Sequence, residues 1–131
     1  MTDDSWTLTM TLPYPPSINK YWLLNRNGSR RLSADAVDFR NSVIAEFYKF
    51  SWRNQLTGKC TVVIDEYPKN RIRRDIDNVI KPILDALTHA GVWEDDEQVY
   101  KLLVRKHAPD EHKKGYVTVK VKEIDTTKES D

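Results

Sequence analysis

Residues 59–67, Lys59-Cys60-Thr61-Val62-Val63-Ile64-Asp65-Glu66-Tyr67, form a β-branched run, and Ile76, Val79, Ile80, Ile83, Leu84 and Leu87 then recur at i, i+3, i+4 spacing. β-Branched side chains favour extended backbone, whereas the second pattern puts one apolar stripe on a helix. A strand followed so closely by an amphipathic helix has to bury that stripe against a sheet, which excludes all-helical and all-β folds. Ala90-Gly91 supplies the helix C-cap, and the helix start is expected at Asp77 or Asn78. Pro82 then ends the first turn, where it removes one hydrogen bond and tilts the helix start.

The flanking sequence extends this pattern. Trp6, Leu8, Met10 and Leu12 alternate with threonines, predicting a strand over 5–12 ended by Pro13. Pro15 and Pro16 force an extended path into residues 17–22, and Asn27-Gly28 marks a turn. Ser33 is the N-cap of a long helix in which Val37, Val43, Ile44, Phe47 and Phe50 recur until Leu56 and the stop at Gly58. Tyr100, Leu102 and Val104 alternate in a third strand, and Val117, Val119 and Val121 in a fourth, joined as a hairpin by Pro109 to Gly115. The order β-α-β-α-β-β predicts a single α+β domain over 1–131, with a mixed four-stranded sheet and two main helices. Residues 1–4 and 125–131 are expected to fray.

With 39% hydrophobic and 31% charged residues, the chain is expected to fold as a globular protein. No run of about 18 apolar residues is present and the first residues are acidic, so a cytoplasmic location is expected. Cys60 stands alone in an apolar run and reads as a buried, inert thiol. The formal net charge is +1, but residues 1–4 carry −2 and 123–131 carry −3, leaving +6 on 5–122. That favours a polyanionic partner without deciding for one, since a solvated charged surface with acidic tails has the same balance.

The connector between strand and helix carries the chemistry. Lys69-Asn70-Arg71-Ile72-Arg73-Arg74-Asp75-Ile76-Asp77-Asn78 sets two carboxylates among cations, with Lys81 one turn further and Glu94-Asp95-Asp96-Glu97 beyond the helix. Hard oxygen ligands suit Mg²⁺, which keeps open positions for phosphate oxygens, while neighbouring Arg and Lys hold a phosphodiester. Asp75 and Asp77, two apart, face one side if the backbone is extended. The bland alternatives are helix capping by the aspartates, a solvated basic loop and an acidic turn. An EF-hand loop does not fit, because Ile80 stands where Gly is needed. A geometric objection also stands, because a helix of about thirteen residues carries the chain roughly 20 Å away before the second acidic run.

Other residues carry less. His107 and His112 with Cys60 make a poor zinc set. Trp6, Trp52 and Trp93 read as core or interface, and Tyr14, Tyr21 and Trp22 beside Lys20 and Arg26 fit DNA contact or a packed loop equally. Asp85 is placed to support Lys81 through an i, i+4 pair, and the role of Asp95 is open.

The string Arg73-Arg74-Asp75-Ile76-Asp77-Asn78, then Lys81, Asp85-Ala86-Leu87-Thr88, Ala90-Gly91-Val92-Trp93 and Asp95-Asp96-Glu97-Gln98-Val99, resembles the signature of the RusA family of Holliday junction resolvases. Pro15-Pro16-Ser17-Ile18-Asn19-Lys20-Tyr21 resembles it too, and the likeness covers most of residues 8–122. It implies a homodimeric, Mg²⁺-dependent endonuclease, with Mn²⁺ a substitute, that nicks four-way DNA junctions symmetrically in recombination and repair. Such enzymes are typically encoded by phages or prophages. It implies Asp75, Asp77 and Asp96 as metal ligands, Lys81 as the catalytic lysine, and Lys69, Arg71, Arg73 and Arg74 as DNA-binding residues. Ile72 departs from the often continuous basic run. The alternatives are a non-catalytic branched-DNA-binding protein and a nuclease for another branched structure such as a flap.

Overall fold

The computed structural model describes residues 6–50, 55–110 and 114–124; the expected frayed ends, Trp52 and His112 lie outside them. Leu8–Pro13 (β1), Cys60–Tyr67 (β4), Val99–Lys106 (β5) and Tyr116–Glu123 (β6) build one sheet in the order β1-β6-β4-β5. β6 runs antiparallel to both β1 and β4, and β5 runs parallel to β4. The fold is therefore α+β with the mixed four-stranded sheet that the periodicities predict.

Period-two alternation sets the core. Leu8, Met10 and Leu12 face inward with Val62, Ile64, Val117, Val119 and Val121, while the threonines of β1 stay outside. Ala34–Phe47 (α2) covers this face with Phe39, Val43 and Phe47, and Ile80–Ala90 (α3) adds Ile83, Ala86 and Leu87. Cys60 is fully buried and its thiol is pushed up to about 11, chiefly by burial, so it is inert as expected.

Four expectations are corrected. First, Pro109 to Gly115 is no hairpin loop, because β6 inserts between β1 and β4 and leaves β5 at the edge. A strand that follows a helical crossover pairs parallel to its predecessor, so β5 lies on one side of β4 and β6 takes the other. Tyr100, Leu102 and Leu103 are exposed for the same reason.

Second, α2 ends at Phe47, not Leu56. Leu56 instead donates its N–H to the Val92 carbonyl at 2.8 Å and bridges to Trp93, so tertiary pairing overrides the helical spacing. Ala36 and Phe39 are buried in place of Val37, which is exposed. Third, α3 is preceded by a 3₁₀ turn over Ile76–Val79, and its cap is Val79 rather than Asp77 or Asn78. Pro82 thus lies at the third helical position, where no intrahelical partner for an N–H exists and the ring costs no hydrogen bond. Fourth, the segment after Pro16 forms a one-turn helix (α1, Ile18–Tyr21) and a hairpin of Trp22–Leu24 (β2) with Arg30–Leu32 (β3), turning at the expected Asn27-Gly28.

Candidate active site

Val79 anchors the 3₁₀ turn in the core, 1% exposed, and this leaves Asp75 and Asp77 outside. Asp75 is extended, with φ −79° and ψ 141°, but Asp77 already lies within the turn, so the extended geometry expected for both holds only at Asp75. The Asp75 side chain makes no capping hydrogen bond, which removes the capping explanation for it. The basic loop is ordered from within. Arg74 Nη1 donates to Asn70 Oδ1 at 2.9 Å and to the Ile72 carbonyl at 3.0 Å, Ile72 N–H donates to Asn70 Oδ1 at 3.1 Å, and Lys106 Nζ donates to the Arg74 carbonyl at 2.6 Å. Lys69, Arg71 and Arg73 remain exposed.

The second acidic run returns in the same chain. Gly91 ends α3 at φ 92°, accepted only because it lacks a Cβ, and Val92 and Trp93 are fully buried behind it. Trp93 Nε1 donates to Thr88 Oγ1 at 2.6 Å, turning the chain back along the helix. Asp95 and Gln98 then form a capping box, with Asp95 Oδ1 accepting from Glu97 N–H at 2.9 Å and Gln98 Oε1 accepting from the Asp95 N–H at 3.2 Å and also from Glu94 N–H at 3.0 Å. Asp95 is thereby a structural cap, and Asp96 points elsewhere. Lys81 Nζ donates to Asp96 Oδ2 at 3.0 Å. From Lys81 to Ala90 the helix rises only about 14 Å, while Gly91 to Asp96 can reach about 20 Å when extended. The distance objection therefore does not hold for Lys81 and Asp96.

Asp85 does not pair with Lys81. Its Oδ2 accepts from the Tyr21 hydroxyl at 2.6 Å and from Arg40 Nη2 at 2.6 Å and Nε at 3.2 Å, joining α1, α2 and α3. Burial acts to raise the Asp85 pKa, but the bonds from Tyr21 and Arg40 outweigh it and the net direction is down. Tyr21, buried and donating to that carboxylate, is pushed up to about 12.

Two charged residues of β4 escape sequence reasoning because they sit in an apolar run. Asp65 is clamped by Arg105 Nε at 2.7 Å, Arg105 Nη2 at 2.9 Å and His107 Nε2 at 2.7 Å, and its pKa is lowered first by the Arg105 bonds. His107 is thus engaged by a carboxylate and stacks on Tyr67, its ring centroid 4.5 Å away. Glu66 is fully buried; Tyr14 donates to its Oε1 at 3.3 Å, and its Oε2 has no partner among the described residues. Burial is the main cause that pushes Glu66 up to about 7; Tyr14 and Lys106 act against it, and the charge of Asp77 acts with it. Asp77 is therefore within electrostatic reach of a buried acid, a signal that only the tertiary structure carries.

The carboxylates present are hard oxygen donors of the kind Mg²⁺ takes, and Asp75 and Asp77 are exposed. Among the described residues, no three His, Cys, Asp or Glu side chains are already grouped to hold a metal ion. With Lys81 as its counter-ion, Asp96 is compensated in this geometry.

The parallel β-α-β crossover thus carries exposed carboxylates and a basic loop in its connector and Lys81 on the helix behind it, which puts hard oxygen donors and cations on neighbouring surface. The family described as Endodeoxyribonuclease RusA matches residues 13–122. The chain is 38% identical over 100 residues to the crossover junction endodeoxyribonucleases RusA of Escherichia coli K12 and Shigella sonnei, covering 76% of this chain and 82% of each relative. It is 41% identical over 101 residues to that of Enterobacteria phage 82, with the same coverage. The chain belongs to the RusA endodeoxyribonuclease family.

Proposed function

We propose that the protein is a crossover junction endodeoxyribonuclease that resolves four-way DNA junctions during recombination and repair, using Asp75, Asp77, Asp96 and Lys81. The observation that carries this assignment of residues is the 3.0 Å contact between Lys81 and Asp96, which brings the second acidic run back to the first turn of α3. Asp75, Asp77 and Asp96 would hold Mg²⁺, or Mn²⁺ in its place. The ion would supply activation of the attacking water and neutralisation of charge at phosphorus.

The protein's own groups do the rest. Lys81, 63% exposed at its side chain, can turn from Asp96 to a phosphoryl oxygen, where its charge counts most as negative charge develops in the transition state. Lys69, Arg71, Arg73 and Arg74 hold the strand by its phosphates, setting affinity and its salt dependence. Ile72, 67% exposed within that loop, breaks the line of cations and adds no phosphate contact.

Two symmetric nicks require two sites facing one junction, and a homodimer provides them. The enzyme would act in the bacterial cytoplasm, from a phage or prophage gene; a relative encoded by phage 82 supports this. No helix among the described residues is long and apolar enough to cross a membrane.

The test incubates the protein with a four-way junction, a flap and a linear duplex, with Mg²⁺ or EDTA. Paired symmetric nicks confined to the junction and abolished by EDTA are expected. Junction binding without cleavage in Mg²⁺ or Mn²⁺ would favour a binding module, and faster cleavage of the flap another nuclease specificity.

A further inference from the structure

A cavity of about 630 Å³ opens beside the 3₁₀ turn, lined at one end by Asn78 and Val79, the residues that follow Asp77. Four cations reach it from distant parts of the chain: Lys20 from α1, Lys69 and Arg74 from the loop after β4, and Lys114 from the segment before β6. Only two of these belong to the basic run. Pro13, Tyr14, Pro15 and Pro16 supply a proline and tyrosine wall, with Ser17 beside it. One carboxylate, Asp35 in the first turn of α2, is part of the lining.

The shape is built rather than incidental. A side chain at Gly115 would meet the Lys69 backbone nitrogen at 2.9 Å and Tyr14 Cβ at 3.2 Å, so only glycine lets the Lys114 segment close on the other two walls. Tyr14 N–H donates to the Gly115 carbonyl at 3.3 Å, and the Tyr14 hydroxyl is tied to Glu66. The Arg74 guanidinium lies 5.8 Å from the Tyr14 ring centroid, which orients the ring from its other neighbour.

We propose that this cavity receives a single nucleotide of the DNA strand being cut, its base against the proline and tyrosine wall and its phosphate on Lys20, Lys69, Arg74 and Lys114. The inference rests on the junction-cleaving reading and adds to it the place where an unstacked nucleotide is held. The volume is within the roughly 300–1,000 Å³ of small-ligand sites. An apolar platform ringed by cations is also what an unstacked base and its phosphate require, because every base has a π-face and every linkage a charge. Duplex DNA cannot enter a cavity of this size without giving up one nucleotide, and a branch point, where stacking is already interrupted, gives it up at least cost.

Asp35 adds selectivity. A carboxylate accepts from the exocyclic amino group of cytosine or adenine, whereas thymine offers oxygen there and is repelled.

The experiment uses the full-length Asp75→Asn protein without divalent metal, bound to four-way junctions that carry one abasic nucleotide at successive positions across the branch point. Loss of about tenfold in affinity is expected at one position and little elsewhere. At that position cytosine should bind better than thymine, and Asp35→Ala should erase the difference. Lys20→Ala and Lys114→Ala, both at exposed positions, should weaken binding of the intact junction severalfold. In parallel, deoxycytidine 5′-monophosphate is titrated into the protein and followed by NMR, with shifts expected at Lys20, Tyr14 and Gly115 and lost in Lys114→Ala.

A flat abasic profile on a tightly bound junction overturns the proposal, as does an unchanged spectrum at those residues. Shifts at those residues from a protein that binds no junction would keep the cavity and remove the junction-cleaving reading.

Discussion

The Tyr14 hydroxyl donates to Glu66 Oε1 at 3.3 Å, joining the residue that follows β1 to a carboxyl that has no access to water. The acid is retained in the core next to the charge of Asp77, and its proton is held to about pH 7. An ordinary Glu in the unfolded chain titrates near 4.5.

Because the folded state binds this proton more tightly than the unfolded state, Glu66 favours folding below about pH 4.5 and loses that contribution as pH rises to about 7. Glu66→Gln should flatten stability across this window and leave the metal-free protein more stable than wild type at pH 8, by on the order of 3 kcal/mol. Urea unfolding at pH 5, 6, 7 and 8 measures it; parallel curves for the two proteins would contradict the prediction.

Asp75→Asn and Asp96→Asn should each lower junction cleavage by on the order of a hundredfold or more, by weakening the ligand set for the cation. Binding should be preserved or tightened, since a charge facing DNA phosphates is removed. Cleavage gels and mobility shifts on the same junction read both; full cleavage by Asp75→Asn would sink the assignment.

Lys81→Ala separates chemistry from stability. The Lys81 side chain is 63% exposed, so loss of its pair with Asp96 should change stability by less than about 1 kcal/mol. Turnover should fall by roughly 10²–10³-fold if the ammonium stabilises charge at phosphorus. Single-turnover cleavage at saturating Mg²⁺, with a melting curve alongside, distinguishes this from simple misfolding.

Asp85→Ala should behave in the opposite way. It removes the carboxylate shared by Arg40 and the Tyr21 hydroxyl and leaves them only their mutual 3.1 Å hydrogen bond, at a cost of about 2 kcal/mol. Junction cleavage per folded molecule, measured well below the melting point, should stay within about twofold of wild type.

Much of the sheet was legible in the chain because period-two alternation in β1 and β6 reports burial directly, and the β-branched run of β4 marks a strand buried on both faces. Strand adjacency was not, since nothing in Val117 to Val121 says that β4, rather than β5, lies next to them. Asp75, Asp77 and Lys81 stood out as opposite charges at a strand-to-helix junction. Spacing alone did not tell Asp95 from Asp96, which only the family resemblance separated, because the physical difference lies in the capping box that Gln98 closes. Glu66 was invisible for another reason, as a carboxylate inside a β-branched run reads as one more outward position until its neighbours are known. The cavity at Lys20 and Lys114 could not be read at all, because its four cations meet only after β6 has been inserted.

The return from Gly91 to Asp96 behaves as a ruler laid along α3. Each residue added to the helix moves its end by about 1.5 Å, and each added to the returning segment by up to about 3.3 Å. The return is pinned at its present length by Leu56, Thr88 and Gln98, which hold the scale in place. This stretch therefore tolerates substitution far better than insertion or deletion. A chain that gained or lost one residue between Pro82 and Asp95 would keep every side chain of the site and still part Asp96 from Lys81.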